Sequence, residues 1–441
     1  MKLFFAILLL FLGFNVFAQT SEGVLATANN QTFTSKDLAP SVREAFENLP
    51  KLIAEKRKEL LEQQIAGILL DAESTARKTT VEKLIQKEVY AKIPNPTDAQ
   101  VQAVFDANRA AIGDKIIKEV RPQIVVFLRR DLEQKAFADY ISTLKTKYKI
   151  SIGRDVNMPN LAASDILATV GGKPLSVDAF EAKNALPLYE IKAEIYDQTR
   201  DTLEQLLFST LLVAEAKSQN IQASDLIARE VTDKMREFAD TEREQLQNDL
   251  RKRLFQKYNA KVLLKDPLPV AQNISTEGSP SKGKTDAPLT VVMFTDFQCS
   301  HCAAAHPVLQ KVMAGYAGKI RFVVRNYPLE SIHENAFRAA LAANAAHAQG
   351  KFFEYTEILY NNQNNLNEVS LKKYAAQIGL IQKQFDLDLG SEKSAAAVRR
   401  DLQDGVSYGV AATPTVFVNG VKARANSAQD FRRAIERALK K

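Results

Sequence analysis

The chain has 441 residues and a net charge of +7, from 59 basic and 52 acidic side chains. Hydrophobic residues make up 46% and charged residues 25%, which excludes a disordered or fibrous chain. The basic excess is small and scattered and does not point to nucleic acid, and two cysteines are too few for a disulfide-stapled scaffold.

Residues 1–18 hold one lysine, an apolar run over 3–12, and Val16 and Ala18 at the −3 and −1 positions of a cut before Gln19. This is the pattern of a cleaved secretory signal peptide. The run is shorter than the ~20 apolar residues a membrane span needs. An uncleaved membrane tether is the alternative. No cysteine follows the run to carry a lipid anchor.

The next 250 or so residues contain an internal repeat. Leu25-Ala26-Thr27 matches Leu167-Ala168-Thr169, an offset of 142 (167 minus 25). At the same offset Leu61-Glu62-Gln63 matches Leu203-Glu204-Gln205, and Leu69, Leu70, Ala72 and Glu73 match Leu211, Leu212, Ala214 and Glu215. The offset holds without a gap over about 65 positions, and such self-similarity sets the architecture. Each copy reads as a short strand, a turn (Asn29-Asn30 or Gly171-Gly172) and a helix capped by Ser35 or Ser176. A long amphipathic helix follows, with Leu61, Ile65, Ile68, Leu69 and Ala72 on one face of the first copy and Leu203, Leu207, Leu211 and Ala214 in the second. Third helices are expected over 81–92 and 224–236, and β-like tails over 148–152 and 258–264. The first copy is longer in its middle, over 97–145.

Residues 265–289 hold four prolines and read as an irregular linker. Beyond them the pattern becomes α/β: a strand over 289–297, a helix over 300–315, a strand over 320–326, and a helical region from about 333 to 405. A strand over 415–418, a turn at Asn419-Gly420 and a final helix over 428–440 close the chain. This order is that of a thioredoxin fold with a helical insertion. The expected segments are therefore 1–18, 19–155, 156–265 and 266–441.

The chemistry concentrates in FTDFQCSHC, which puts Cys299 where a strand ends and a helix begins. Free N–H groups and the helix dipole stabilise an anion there, and the thiolate is the attacking species in disulfide exchange. His301 can donate to the Cys299 sulfur, and Cys302, one turn on, can close the ring. A zinc site would use Cys299, Cys302 and His306 but needs a fourth ligand; His333 and His347 fall on other helices and, like His306, read as ordinary helix residues. No metal or cofactor is expected. Asp296, three residues before Cys299, reads either as a proton acceptor or a group that shifts the thiol pKa, or equally as a solvated residue or a helix cap. Thr413-Pro414 just before a strand fits the cis-proline loop that faces such a pair.

The segments FTDFQCSHC, GVAATPTVFVNG and GKTDAPLTVVMF resemble the DsbA-like thioredoxin group, over residues 275–441. The resemblance implies a periplasmic thiol–disulfide oxidoreductase with Cys299 as nucleophile, Cys302 as resolving thiol and Pro414 as the cis proline beside bound substrate, preceded by Thr413. Ser300 stands where the DsbA type has proline, and Thr413 is shared with isomerase-type relatives, so the direction of electron flow stays open. Residues 25–92 and 167–236, with VGGKPLSVDAF, LEQLLFSTLLVAEAKSQNI and SDLIAREV in the second copy and TANNQTFTSKDL in the first, resemble the substrate-binding segments of SurA-type periplasmic chaperones.

The expected fold class is thus multidomain: α-helical SurA-like repeats followed by an α/β thioredoxin fold with a helical insertion. The expected partners are unfolded or partly folded secreted proteins, a membrane redox partner and a second copy of the chain, with no nucleic acid. The rival expectation is a holdase-type chaperone whose cysteine pair is incidental.

Overall fold

The structure, a computed structural model, describes residues 23–424 and 427–440. The signal-peptide expectation and its cut before Gln19 lie outside the described residues. The chain divides into two compact units that meet between Pro267 and Leu268.

In the first unit, β1 (Val24–Ala28) and β2 (Gln31–Thr34) form a hairpin. Its turn, Asn29-Asn30, has φ of 49° and 60°, the left-handed region that tight hairpins require and asparagine tolerates. The helical segments α1 (Pro40–Ala76), α2 (Val81–Glu88), α3 (Asp98–Ala107), α4 (Arg109–Ile112) and α5 (Ile117–Lys147) follow, then β3 (Ser151–Ile152). The second copy comprises β4 (Ile166–Val170), β5 (Lys173–Ser176), α6 (Val177–Ser218), α7 (Ala223–Glu230), α8 (Asp240–Lys257) and β6 (Lys261–Val262). The repeat is visible in burial as well as in sequence: β1 and β4 share one pattern of buried positions, and so do β2 and β5.

Several boundaries differ from expectation for local reasons. Thr34, not Ser35, caps the first copy, in a reciprocal capping box with Asp37 that closes a short 3-10 turn. The opening and Leu-rich helices of the second copy are one rod of 42 residues, α6, which runs through Pro187. The third helices stop at Glu88 and Glu230, and each gives way to a 3-10 turn.

The two copies complete each other. β1 pairs with β2 on one side and with β6, the tail of the second copy, on the other. β4 pairs with β5 and with β3, the tail of the first copy. The cores follow the same exchange. Leu25, Phe33 and Leu38 pack with Leu203, Leu207 and Leu211 of α6. Leu167, Leu175 and Phe180 pack with Leu61, Ile65 and Leu69 of α1. Each tail is tied down by a buried glutamate of its own copy: Glu73 accepts from Lys147 and Tyr148, and Glu215 from Lys257 and Tyr258. Ion pairs in such places need satisfied hydrogen bonds to offset desolvation, and both carboxylates have them.

The second unit contains β7 (Ser281–Lys282), β8 (Leu289–Thr295), α9 (Ser300–Ala314), β9 (Ile320–Asn326), α10 (Ala336–Ala348), α11 (Phe352–Asn361), α12 (Glu368–Gln377), α13 (Gln382–Leu389), α14 (Glu392–Ser407), β10 (Thr415–Val418), β11 (Val421–Ala423) and α15 (Ala428–Leu439). The sheet order is β11-β10-β8-β9-β7, parallel only between β8 and β9. The linker is less irregular than its prolines suggest: it supplies the edge strand β7 and an isolated bridge from Ala271 to Val421. The helical region expected over 333–405 resolves into five helices, α10 to α14.

Alternation along β8 sends Leu289, Val291 and Met293 into one core, with α9 and α15, and Val292 and Phe294 into another. Arg325 of β9 lies in the second layer and is 2% exposed. It donates to Asp401 and Asp404 of α14 at 2.6 Å each and to the Ser275 carbonyl at 2.7 Å, with its guanidinium 5.4 Å from the centre of the Phe294 ring.

Candidate active site

Strand β8 ends at Thr295, two residues earlier than the expected strand, because Asp296 starts a turn. Its carboxylate accepts from the Gln298 N–H at 2.7 Å, and its carbonyl accepts from the Cys299 N–H at 3.2 Å. Cys299 is then the N-cap of α9, with extended backbone angles. Its carbonyl receives the first helical bonds, from the N–H groups of Cys302 and Ala303. The pair is present as two free thiols, Cys299 6% exposed and Cys302 fully buried.

The two thiols are electrically unequal. The hydrogen bond from Cys302 is the largest influence on Cys299 and lowers its pKa. Burial opposes it, and contacts from Thr413 and from the backbone N–H groups of Cys302 and His301 add to it, bringing the thiol down to about 4. Burial pushes the Cys302 thiol far up, and its neighbour Cys299 adds to that. Of the two buried thiols, Cys299 is thus the one held toward the thiolate and Cys302 the one held protonated.

Across from the pair, the Thr413–Pro414 peptide bond is cis. The Cys299 sulfur lies 3.5 Å from the Thr413 carbonyl oxygen. Thr415 donates to the Ala412 carbonyl at 2.6 Å, holding the loop where it enters β10.

The other expected site residues are placed as follows. The His301 ring is exposed, and this residue reaches Cys299 through its backbone N–H. Asp296 is 1% exposed. Besides the Gln298 N–H, it accepts from the Leu329 N–H at 2.9 Å and pairs with His333 Nδ1 at 2.8 Å. It therefore ties the cysteine turn to the segment after β9, and it does not cap α9, whose N-cap is Cys299. His306 turns away from the cysteines and meets Glu357 at 2.8 Å. Among the described residues no group of three or more His, Cys, Asp or Glu side chains is placed to hold a metal ion.

Three residues not anticipated from the sequence also shape the site. Gln363, in the loop after α11, donates to the carbonyls of Phe297 at 3.0 Å and Cys299 at 2.8 Å. Gln298 accepts from the Asn335 N–H at 2.8 Å. Tyr360 of α11 shares a hydrogen bond of 2.7 Å with Thr295. Gln298 lies within FTDFQCSHC, directly before Cys299, but nothing local marks its bond to Asn335, and Gln363 and Tyr360 lie outside the motifs.

A thioredoxin family model matches residues 275–437. The chain is 36% identical over 159 residues to an Na(+)/H(+) antiporter NhaA 1 of Mycolicibacterium gilvum, covering 36% of this chain and 26% of that protein. It is 35% identical over 158 residues to an NhaA antiporter of Herminiimonas arsenicoxydans, covering 36% and 25%. The chain thus spans about a quarter of the length of the curated relatives it matches. No helix among the described residues is long and apolar enough to cross a membrane. Similar solved structures include oxidised BdbD of Bacillus subtilis (25% identity, 39% of this chain and 99% of that one, TM-score 0.36). A thioredoxin-like oxidoreductase from Silicibacter pomeroyi matches at 25% identity, 37% and 94% coverage and TM-score 0.35. The chain is a helical N-terminal region joined to a C-terminal thioredoxin-like α/β domain.

Proposed function

We propose that this chain is a thiol–disulfide oxidoreductase of the cell envelope, acting on unfolded or partly folded secreted proteins. The observation that carries the proposal is the Cys299 thiol: depressed to about 4, at the start of α9 and against the cis Thr413–Pro414 loop. A client thiolate attacks the Cys299 sulfur of the oxidised pair. The Cys299–Cys302 bond breaks, Cys302 leaves as a thiolate that takes up a proton, and a client–Cys299 disulfide forms. A second client thiolate then displaces Cys299, so the client gains a disulfide and the pair is left reduced. A low thiol pKa makes Cys299 a good leaving group in that step. The reverse sequence reduces a client, and a membrane redox partner resets the pair in either case.

The helical repeats serve as the arm that holds the client or joins two copies. A specific feature favours client holding: Val126, Phe127 and Leu132 of α5, with Ile116 just before it, are more than half exposed. These apolar side chains are the client contacts that this reading assigns to α5. This feature also supports the second reading, a holdase in which the redox pair is incidental.

The deciding experiment equilibrates the protein with glutathione buffers of graded ratio and reads the pair by alkylation and mass. A strongly oxidising potential makes it a disulfide donor, and a reducing one a reductase or isomerase. Cys299→Ser abolishes exchange and Cys302→Ser accumulates mixed disulfides with clients; full exchange by Cys299→Ser sinks the proposal. Undiminished suppression of client aggregation by the double cysteine-to-serine variant, in a protein whose pair never exchanges, establishes the holdase instead. Sequencing the N-terminus of the exported protein tests the cleavage before Gln19.

A further inference from the structure

Cys302 heads a short file of buried polar groups. Thr295 ends β8 beside the turn that carries the pair and acts to lower the Cys302 pKa, and the Tyr360 phenol lies 2.7 Å from the Thr295 oxygen. Thr295 is 1% exposed and Tyr360 9%. The Tyr360 ring is fixed between Phe297 and His306, at centroid distances of 5.3 and 4.8 Å. Burial drives the phenol well above its ordinary pKa, so it stays neutral.

Disulfide exchange makes Cys302 an anion in both directions, as leaving group or as attacker. A buried anion is costly unless donors meet it. The Asp296 backbone N–H is one donor to this sulfur. The Asp296 carboxylate is engaged elsewhere, by Gln298, Leu329 and His333, and the His306 ring nitrogen by Glu357 and Gln310. Of the side chains that act on the Cys302 thiol, Thr295 is the one that lowers its pKa alongside the Asp296 backbone.

We propose that Thr295 and Tyr360 form a donor chain for the transient Cys302 thiolate, Tyr360 donating to the Thr295 oxygen and Thr295 to the Cys302 sulfur. The inference rests on the oxidoreductase reading. Thr295 touches a reacting atom, whereas Tyr360 acts through it and is a positioning residue. Neither hydroxyl gives up its proton. In the resolving step the Cys302 sulfur, its proton lost to water, attacks the Cys299 sulfur. The Cys299–partner bond breaks and the partner leaves as a thiolate that is then protonated. The pair is oxidised and the partner sulfur reduced.

The test mixes reduced full-length protein rapidly with oxidised glutathione, quenches in acid and counts glutathionylated protein by mass. Within each variant the decay of the Cys299–glutathione disulfide is read against the rate at which it forms. Hydrogen bonds to charged groups predict that Thr295→Val slows resolution by about ten- to a hundredfold. Tyr360→Phe, which removes only the second member, slows it by roughly three- to tenfold. Thr295→Ser keeps the hydroxyl and restores wild-type resolution. Resolution at the wild-type rate in Thr295→Val and Tyr360→Phe overturns the inference, and so does a Thr295→Ser variant as slow as Thr295→Val, which would assign the effect to side-chain packing at this position and not to the hydroxyl. Should Thr295→Val fail to fold, Tyr360→Phe decides alone. A wild-type protein that forms and resolves mixed disulfides while these variants behave alike leaves the oxidoreductase reading standing. A wild-type protein that never forms one overturns both.

Discussion

The Cys299 sulfur lies 3.5 Å from the Thr413 carbonyl across a sequence separation of 114 residues. That contact brings the start of α9 and the loop before β10 to one place, and it makes the cis Thr413–Pro414 bond a wall of the site rather than a turn in a distant loop.

Because the folded Cys299 thiol sits near 4 rather than at the ordinary 9.0, the reduced protein is linked to pH in a definite sense. The folded pKa lies below the unfolded one, so the stabilisation is complete above pH 9 and disappears as pH falls through about 4. The melting temperature of the reduced protein, measured relative to Cys299→Ser, is expected to climb across that window. The oxidised protein, which has no thiol to ionise, shows no such climb. A flat difference would place the thiol pKa back in its ordinary range.

Gln363→Leu removes the two donors that hold the carbonyls of Phe297 and Cys299. The Cys299 carbonyl keeps its helical donors, Cys302 and Ala303, so the loss falls on the Phe297 carbonyl, and leaving one buried carbonyl unpaired costs about 1–3 kcal/mol. Denaturant unfolding of the variant is expected to show that loss, with slower alkylation of Cys299 as the turn loosens. Unchanged stability and unchanged alkylation would reduce Gln363 to a bystander.

Arg325→Met keeps the length of the side chain and deletes its charge. It leaves Asp401, which also accepts from the Asn326 N–H, without its buried cation, and Asp404 without its partner. Breaking a buried pair from one side costs about 3–5 kcal/mol, so the second unit is expected to melt well below its wild-type temperature. A double variant that also replaces both aspartates with asparagine should recover part of the loss.

Burial raises the Glu73 carboxyl, but the hydrogen bonds from Lys147, Tyr148 and Arg77 outweigh it and bring the pKa down to about 2. A depressed carboxyl stabilises above its ordinary value of 4.5 and loses that contribution as pH falls toward 2. The helical unit is therefore expected to weaken in that acid window. Glu73→Gln should lose about 1–3 kcal/mol at neutral pH and show a shallower acid dependence. Parallel acid profiles for the two proteins would refute the assignment.

The sequence reveals the parts of the second unit that depend on neighbours in the chain. Cys299, Cys302 and the Thr413-Pro414 pair stand in short motifs, and the apolar β-branched runs around Val291 and Val323 mark two central strands with nearly the right ends. What escapes is whatever depends on a distant partner. Arg325 near the end of IRFVVRN looks like a strand leaving the core, and only Asp401 and Asp404 on another element make it a buried residue. Tyr360 looks like one aromatic of an amphipathic helix, and Thr295 like any β-branched strand residue; their shared bond has no local signature. In the first unit the offset of Leu25 and Leu167 exposes the repeat. It carries no information on which tail joins which hairpin.

That pairing has a consequence for how the first unit came to be and how it can be cut. With β6 completing the sheet of β1 and β3 completing that of β4, neither copy is a closed module. The arrangement is that of a reciprocal, swapped dimer written into one polypeptide. Truncation between the copies strands a bare hairpin edge on each piece, whereas two fragments expressed side by side carry every strand both sheets need.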